Sequence, residues 1–533
     1  MADEVWPGAE RVRAAEVIAA LSLATDLGIG VPLEHGLHST LFAMRLAESL
    51  GVDSETASQT YHACLLFYIG CTAGAELAAQ VFGDDEALTT HATPVRFGSR
   101  LEMMAGFMRA VAPPGNPPPV RVLQIARGLP RAATALKSHV AAQCEVGQML
   151  SDRLGLLASV QALFVHLAER WDGKGQPGRV RGEEIPLPVR IVHVARDAAF
   201  QRMLGGKEFA ARVIRKRAGG AFDPGIAERL ADEAAEILAL DSDGSAWEGT
   251  LDCEPSPQLM LEGEAIDRAL AAMGDFADLA SRYLVGHSAG VAELATAAAE
   301  RCCFEAADLV AIRREALVHD VGRVAVPVRI WQKAGPLTPD DWERVRLHAY
   351  HSERILSRSP FLAALAPVAT THHERLDGSG YHRGMAAAAL KPAARLLAAA
   401  DAYHAMTEPR PHREALSPGQ AAETLGQEAR AGRLDADAVA AVLEVSGQRV
   451  PRIERPAGLT DREAQVVGLL ARGLQTKQVA RALGISVKTA DRHIQNAYGK
   501  IGVSTRASAT LFAMQHGLAA WGELPISRTP RRS

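Results

Sequence analysis

The chain has 533 residues, enough for several domains at roughly 150 residues each. Hydrophobic residues make up 48% of it and aromatic residues only 5%, and the abundance of Ala and Leu predicts an all-α fold. The net charge of −4 excludes a protein that is basic throughout. The sequence has no run of about 18 apolar residues and no apolar core at its N-terminus, so we expect neither a membrane span nor a secretory signal. Six cysteines without a CxxC pair indicate reduced thiols in a cytoplasmic protein.

The first predicted domain, 1–238, contains a sequence pattern that returns later in the chain. Residues 168–198 parallel residues 373–403 at an offset of 205. A stretch rich in Asp, Ser, Gly and Pro follows and predicts a linker at 239–261. The chain is therefore expected to carry two copies of one helical unit in tandem, the second at 262–446.

The second copy gathers five histidines and two aspartates in helix-like settings. They are His287, His319, Asp320, His348, His372, His373 and Asp401. Neutral imidazoles and carboxylates suit Fe, Mn, Zn or similar divalent ions. An aspartate next to a histidine can bridge two ions, which activate a water and stabilise the leaving oxygen of a phosphodiester. One such histidine alone would more often be structural, but the whole set predicts a dinuclear metal site.

The first copy has lost all but one of these seven positions. The repeat places Phe67-Tyr68 opposite His319-Asp320, Leu167-Ala168 opposite His372-His373, Arg196 opposite Asp401, Ala142 near the counterpart of His348, and His38 opposite His287. A single imidazole cannot hold a dinuclear centre. The first copy is therefore predicted to be non-catalytic.

A linker at 447–457 precedes a segment, 458–520, that is predicted to form four short helices, with a basic tail at 521–533. From Gly458 onward, eleven Lys and Arg stand against four Asp and Glu, a net +7. Thr460 and Glu463 form a capping-box pattern, and Ser486 is a suitable N-cap for the third helix. One face of that helix is polar: Lys488, Thr489, Asp491, Arg492, Gln495, Asn496 and Lys500. Such a face suits the major groove of double-stranded DNA.

Residues 262–446 resemble the HD-GYP family of the HD phosphohydrolase superfamily. The motifs that carry the resemblance are Gly286-His287-Ser288, His319 to Arg323, His348, His372 to Tyr381 and Ala400 to Thr407. The resemblance implies hydrolysis of cyclic di-GMP, with the seven residues above as metal ligands and Asp320 bridging. It also implies catalytic roles for His319, Asp320 and Arg323, and phosphate contacts by Arg323, Arg410 and Arg413.

Three positions depart from the HD-GYP pattern. Arg323 replaces the usual lysine after the His-Asp pair, and His382 replaces the proline of the GYP motif. Tyr283 stands where some members carry a further glutamate, which favours two metal ions over three. These changes leave the predicted ligands intact and alter the rim that would contact the nucleotide.

Residues 458–518 resemble the LuxR/FixJ-type helix-turn-helix. The resemblance implies a recognition helix from Ser486 to Lys500 and binding to DNA as a homodimer. By position, Asp491, Arg492 and Gln495 should face bases. Lys488, Thr489, Asn496 and Lys500 should lie near phosphates.

Together these features favour a bacterial transcription regulator that carries a phosphohydrolase domain with two divalent ions, Fe, Mn or similar. Its substrate would be a cyclic dinucleotide such as cyclic di-GMP. One alternative is a non-catalytic regulator that senses a metal or nucleotide and binds DNA. Another is a phosphohydrolase of a different phosphorylated metabolite.

Overall fold

The computed structural model describes residues 11–70, 91, 93–112, 115–240, 245–450 and 455–519. The predicted basic tail at 521–533 and residues 451–454 of the second predicted linker lie outside the described residues. The described residues are mostly helical, with two short strands, so the predicted all-α fold is confirmed. None of its helices is both long and apolar enough to cross a bilayer.

The first compact unit comprises residues up to Gly286 together with Asp320–Ala364. Its two strands are β1 (Arg11–Arg13) and β2 (Met260–Glu262). Its helices before β2 are α1 (Ala14–Ile29), α2 (His35–Ser49), α3 (Ser54–Leu65), α4 (Arg100–Val111), α5 (Pro118–Arg153), α6 (Ala158–Gln161), α7 (Leu187–Arg217, interrupted at Gly206), α8 (Pro224–Asp232), α9 (Ala234–Ile237) and α10 (Ala246–Asp252). Helix α11 (Glu264–Asp278) follows β2.

Helix α1 lies at the centre of this unit because it is apolar on nearly every side. Almost all of its residues from Ala14 to Asp26 are buried, as expected for a helix without a polar face. It packs against α2 and against the 3₁₀ turn Val321–Ala325. Strand β1, immediately before α1, pairs antiparallel with β2, with Arg11 opposite Glu262. Strand β1 is thus paired with residues at the end of the first predicted linker.

The second compact unit comprises His287–His319 and the residues from Leu365 onward. The remaining helices among the described residues are α12 (His287–Arg301), α13 (Ala306–Val318), α14 (Val328–Trp331), α15 (Pro339–Leu356), α16 (Pro360–Ala369), α17 (Pro392–Thr407), α18 (Pro418–Arg430), α19 (Ala436–Val445), α20 (Asp461–Ala471), α21 (Thr476–Ala482), α22 (Val487–Ile501) and α23 (Arg506–Gln515). Of these, α14 and α15 belong to the first unit, and α16 begins in the first unit and ends in the second. Within the second unit, α12 packs against α13, α17 and α19, and α20 packs against α22 and α23.

The compact units group the chain differently from the predicted repeat. The predicted linker at 239–261 contains the helix α10, with the indole of Trp247 buried, and the strand β2. Residues 320–364, assigned by the repeat to the second copy, pack in the first unit because the 3₁₀ turn that follows Asp320 lies against α1 and α11. The domain boundaries at 238, 262 and 446 stay predictions from the sequence.

Candidate metal centre and nucleic-acid interface

Three of the predicted ligand histidines share one local hydrogen-bond geometry. His319 directly follows α13, His348 lies inside α15, and His372 follows the end of α16. In each, Nδ1 lies next to the backbone carbonyl oxygen three residues earlier, at 2.7, 2.5 and 2.6 Å respectively. A carbonyl oxygen can only accept, so Nδ1 carries the hydrogen and Nε2 presents a lone pair. This is the tautomer in which histidine binds a metal through Nε2.

In the second unit, imidazoles surround the carboxylate of Asp401. Its Oδ1 lies 3.2 Å from Nε2 of His287 and 3.8 Å from Nε2 of His319, and its Oδ2 lies 3.9 Å from Nδ1 of His373. The ring centroid of His372 lies 4.7 Å from that of His319 and 4.1 Å from that of His373. Burial alone would raise the pKa of Asp401, but its contacts with the imidazoles of His287 and His319 hold it well below its usual range. The carboxylate is therefore ionised among the imidazoles.

In the first unit, Asp320 lies between an imidazole and a guanidinium. Its Oδ1 is 3.2 Å from Nε2 of His348, and its Oδ2 is 2.6 Å from Nη2 of Arg323. All three side chains are buried. The guanidinium of Arg323 also lies 5.8 Å from the ring centroid of Trp331. Because an unpaired buried carboxylate is costly, Arg323 stabilises Asp320 by supplying the opposite charge.

The chemistry and spacing of these donors fit a divalent metal ion. Within the second unit, ligand atoms of His287, His319 and Asp401 all lie within 4.8 Å of one another. Metal–nitrogen and metal–oxygen bonds of about 2.1 Å join donors that lie up to roughly 4.2 Å apart, so small side-chain shifts would suffice. Imidazole nitrogen and carboxylate oxygen are the donors that Fe, Mn and Zn accept. Metal binding by these residues is thus consistent with their packing.

Two residues that the sequence analysis did not identify, His404 and Glu408, extend the cluster in the second unit. The Glu408 carboxylate lies 2.9 Å from Nδ1 of His287 and 3.2 Å from Nδ1 of His404. Burial alone would raise the pKa of Glu408, but its bonds with the two histidines hold it below its usual range. Gly290 makes room for His404, since a Cβ there would lie 2.0 Å from the imidazole Nε2. Spacing is the signal that was missed, because Asp401, His404 and Glu408 stand at i, i+3 and i+7.

The two arginines that the resemblance assigns to phosphate have different surroundings. Arg410 donates from Nη2 to Oε2 of Glu408 at 2.8 Å, so it lies beside the cluster. Arg413 instead donates to four backbone carbonyls within residues 405–414, at 2.6 to 3.2 Å. Its guanidinium holds the C-terminal end of α17 and the loop that follows it. Of the two side chains, only Arg410 thus contacts a residue of the cluster through its guanidinium.

The positions of the first copy that correspond to metal ligands also meet in space, but around an arginine. The guanidinium of Arg196 lies 4.8 Å from the ring centroid of Phe67 and 4.2 Å from that of Tyr68. Its Nη1 donates to the carbonyl of Cys64 at 2.9 Å. Gln143, next to the position predicted to match a ligand histidine, donates to the carbonyl of Phe67 at 3.0 Å. Aromatic faces attract a cation, so the first copy holds a guanidinium where the second has the predicted metal ligands.

The acid and glycines of the loop 372–382 recur in the first copy with the same contacts. Glu374 accepts two backbone hydrogen bonds at 2.8 Å from residues later in its loop, and Glu169 accepts two at 3.0 and 3.1 Å. A Cβ on Gly380 would lie 2.4 Å from a backbone nitrogen, and one on Gly175 would lie 2.5 Å from the matching nitrogen. Because the first copy keeps similar contacts without the histidine pair, these contacts serve to hold the loop.

The C-terminal helices α20 to α23 form the predicted helix-turn-helix with the predicted caps. The Thr460 hydroxyl accepts from the N–H of Glu463, and the Glu463 carboxylate accepts from the N–H of Thr460. Ser486 caps α22 by accepting from the N–H of Thr489 at 3.0 Å. The buried stripe of α22 comprises Ala490, Ile494 and Ala497, with Ile501 half-buried. The sequence-derived amphipathic pattern of this helix is confirmed.

All seven residues of the predicted DNA-contacting face are exposed: Lys488, Thr489, Asp491, Arg492, Gln495, Asn496 and Lys500. Lys500 nevertheless has partners within its own domain. Its Nζ lies 2.6 Å from Oε2 of Glu463 and 2.9 Å from the carbonyl of Gly458. A phosphate contact by Lys500 would therefore compete with its ion pair to Glu463. Among the described contacts, the other six residues of this face form no ion pair.

The end of the helix-turn-helix contacts the segment that follows the ligand histidines. Arg395 donates from Nη1 to the carbonyl of Gly517 and from Nη2 to the carbonyl of Ala387 at 2.7 Å. A Cβ on Gly517 would lie 3.2 Å from Cβ of Ala387 and 3.6 Å from Cδ1 of Leu376. Leu376 and Ala387 both lie between His373 and α17. A movement of this segment would therefore change its contacts with Gly517, at the end of the helix-turn-helix.

Two family models match the chain. The HD domain model matches residues 119–226 and 272–438, which together are just over half of the chain. The model for bacterial regulatory proteins of the luxR family matches residues 457–513. The HD matches fall in both predicted copies, in agreement with the tandem repeat.

Curated relatives and a solved structure match over different lengths. The 3′3′-cGAMP-specific phosphodiesterase 3 of Vibrio cholerae is 28% identical over 406 residues, 75% of this chain and 88% of the relative. The cyclic di-GMP phosphodiesterase of Thermotoga maritima is 42% identical over 104 residues, 19% of this chain and 28% of the relative. A crystal structure of a cyclic GMP-AMP-specific phosphodiesterase from V. cholerae covers 82% of this chain and 98% of its own, with a TM-score of 0.57 and 24% identity. That structure shows a shared fold.

Proposed function

Since the chain belongs to the HD domain family and ends in a domain of the luxR family, we propose that it is a cytoplasmic DNA-binding regulator whose second HD copy is a metal-dependent cyclic dinucleotide phosphodiesterase. The observation that carries the enzymatic part is the shared tautomer of His319, His348 and His372. Packing alone has no need to present Nε2 in the same way three times. Coordination of a metal through Nε2 requires it.

The proposed metal ligands are the seven predicted residues: His287, His319, Asp320, His348, His372, His373 and Asp401. Two divalent ions, when bound, would activate a water and stabilise the leaving oxygen of the phosphodiester. We propose Fe, Mn or a similar divalent ion, because the donors are nitrogen and oxygen and include no thiolate. Asp320 would supply a carboxylate ligand, and His319, which precedes it directly in the chain, would supply an imidazole.

Two arginines, Arg323 and Arg410, would support the reaction by holding a ligand carboxylate and by binding the substrate phosphate. Arg323 holds the Asp320 carboxylate through its contact of 2.6 Å and balances its charge. Arg410 has the planar, bidentate donor geometry that suits a phosphate, and its contact with Glu408 fixes its position. Arg413 acts indirectly, because its bonds to backbone carbonyls hold the loop on which Arg410 lies.

The proposed substrate is a 3′,3′-cyclic dinucleotide. The relative that matches over 75% of this chain is named for 3′3′-cGAMP, whereas the T. maritima relative named for cyclic di-GMP matches over 19%. Arg323 and His382 alter the rim of the site relative to the HD-GYP pattern. Both dinucleotides are therefore the first substrates to compare.

The DNA-binding part of the proposal rests on α22. Its polar face is exposed while its opposite stripe packs in the domain, as a helix that enters the major groove requires. We propose base contacts by Asp491, Arg492 and Gln495. Phosphate contacts would come from Lys488, Thr489 and Asn496, with Lys500 contributing only if it leaves Glu463. Homodimeric binding is part of the same proposal.

The contact of Gly517 with Ala387 and Arg395 suggests how the two activities are joined. The segment from His373 to α17 carries metal ligands at its start and meets the helix-turn-helix near its end. Occupancy of the metal site would shift this segment and thereby change DNA affinity. The effect needs a difference in ligand affinity between the two arrangements, which a binding experiment can measure.

One assay tests the enzymatic proposal. The purified full chain, loaded with Mn²⁺ or Fe²⁺, is incubated with each dinucleotide, and the linear and mononucleotide products are quantified by chromatography. We expect hydrolysis by the wild type and none by His319→Ala, which loses a ligand. If the wild type binds metal but hydrolyses neither dinucleotide, the phosphodiesterase proposal is wrong. A dinucleotide-dependent change in DNA affinity would then identify the sensor alternative.

A further inference from the structure

The histidine at the start of α12 cannot use the hydrogen bond that orients the other three. His319, His348 and His372 each donate from Nδ1 to the carbonyl oxygen three residues earlier. His287 is the first residue of its helix, so no helical turn precedes it. Its Nδ1 instead lies 2.9 Å from Oε2 of Glu408. We infer that Glu408 is a positioning residue that sets the tautomer and orientation of His287 for metal binding, an inference that rests on the proposed function.

The two nitrogens of this imidazole face different carboxylates. Nδ1 faces Glu408 at 2.9 Å and Nε2 faces Asp401 at 3.2 Å. The His287 side chain is fully buried, so no solvent molecule at the surface can replace Glu408 as the acceptor. A carboxylate that accepts from Nδ1–H leaves Nε2 to the metal and makes it a stronger donor. Glu408 thus does for His287 what a backbone carbonyl does for the other histidines.

Glu408 is itself held from two further directions. Arg410 donates to its Oε2 at 2.8 Å, and Nδ1 of His404 lies 3.2 Å from its Oε1. Glu408 directly follows α17, the helix that carries Asp401. It therefore joins a ligand from α12 to the helix of a second ligand and to the arginine proposed for phosphate. The Ser417–Gln420 capping box farther along the chain has no such partners and is an ordinary helix cap.

Replacement of Glu408 separates the role of an acceptor from that of a charge. Glu408→Ala removes the acceptor, and we expect its affinity for Mn²⁺ to fall about 10- to 100-fold. Glu408→Gln keeps an acceptor oxygen within reach of Nδ1, and we expect it to remain within about 3-fold of wild type. Glu423→Ala, an exposed glutamate on α18, is the matched control and should bind Mn²⁺ as wild type does.

The measurement is a competition titration of the full chain against a chromophoric chelator, without substrate, together with a count of bound ions at saturation. Wild-type affinity in Glu408→Ala would overturn the inference. Equal losses in Glu408→Ala and Glu408→Gln would also overturn it, because charge and not the acceptor would then matter. If His404→Ala binds one ion fewer at saturation, then His287, His404 and Glu408 ligate a cation of their own and Glu408 is a ligand.

A second measurement does not depend on the folding of a variant. In wild-type protein with ¹⁵N-labelled histidine and Zn²⁺ bound, we expect the His287 resonances of an Nδ1–H tautomer. An Nε2–H tautomer would contradict the inference directly. If the wild-type chain binds no metal in either experiment, the proposed function is refuted as well. If the wild type binds metal and Glu408→Ala has the same affinity for Mn²⁺, only the positioning role is refuted.

Discussion

Replacing Glu315 by Gln should stabilise the second unit, and should do so much more at pH 8 than at pH 5. Glu315 lies on α13 with 5% of its surface exposed. Burial raises its pKa from 4.5 to about 8, although the charge of Lys391 opposes the shift. The folded chain therefore holds a proton that the unfolded chain releases at a lower pH.

The size of the effect follows from this difference in pKa. Between pH 4.5 and pH 8 the unfolded state loses the proton while the folded state keeps it, so stability falls as the pH rises through this window. The loss is about 1 kcal/mol at pH 5 and about 4 kcal/mol at pH 8, at 1.36 kcal/mol per pKa unit. Gln has a similar shape and releases no proton, so it escapes this loss. For a unit of this size, 4 kcal/mol corresponds to roughly 8–16 °C in melting temperature.

Scanning calorimetry of the full chain in the presence of a chelator measures this difference without a contribution from bound metal. We expect Glu315→Gln to melt well above wild type at pH 8 and within about 4 °C of it at pH 5. Glu423→Gln, at an exposed position on α18, should match wild type at both pH values. Equal shifts at pH 5 and pH 8 would refute the reasoning, since they would show that Glu315 does not titrate between them.

Three further outcomes test other parts of the structure. Arg196→Asp places a carboxylate against the faces of Phe67 and Tyr68 and should lower the free energy of unfolding of the first unit by about 3–5 kcal/mol. Arg196→Met removes the buried charge altogether, so it should lower that free energy by less in the same unfolding experiment. Arg492→Ala should weaken binding to a selected DNA site by about 1–3 kcal/mol and relax its specificity, and an unchanged affinity in a fluorescence titration would contradict the assigned face. Arg395→Met should abolish any dependence of DNA affinity on metal loading. A dependence equal to that of the wild type would exclude the Gly517 contact as the route.

The sequence identified what depends on local pattern. The capping box of Thr460 and Glu463 and the buried stripe of α22 involve residues within one or two helical turns, so spacing is enough to predict them. The internal repeat was also visible, because an offset of 205 aligned the same acid and glycines in both copies. The HD and luxR family matches confirm the expected families and are consistent with the tandem repeat.

The features that were missed depend on contacts between distant parts of the chain. Glu408 meets His287 across 121 positions, and Arg196 meets the carbonyl of Cys64 across 132. Lys500 was assigned to phosphate from its place on a helical wheel, but it pairs with Glu463, which is 37 residues away. Side chains of this kind are recruited by packing, and no periodicity in the sequence specifies their partners.

Because of the guanidinium of Arg196, the two copies differ in where the positive charge at their centres comes from. In the first copy the cation is the Arg196 side chain, which is present as soon as the chain has been synthesised. In the second, the metal ions that we propose for the same region of the repeat would have to come from the surroundings. We therefore expect metal starvation to reach only one of the two copies. The centre of the first copy, which lacks the predicted ligands, does not depend on the supply of metal ions.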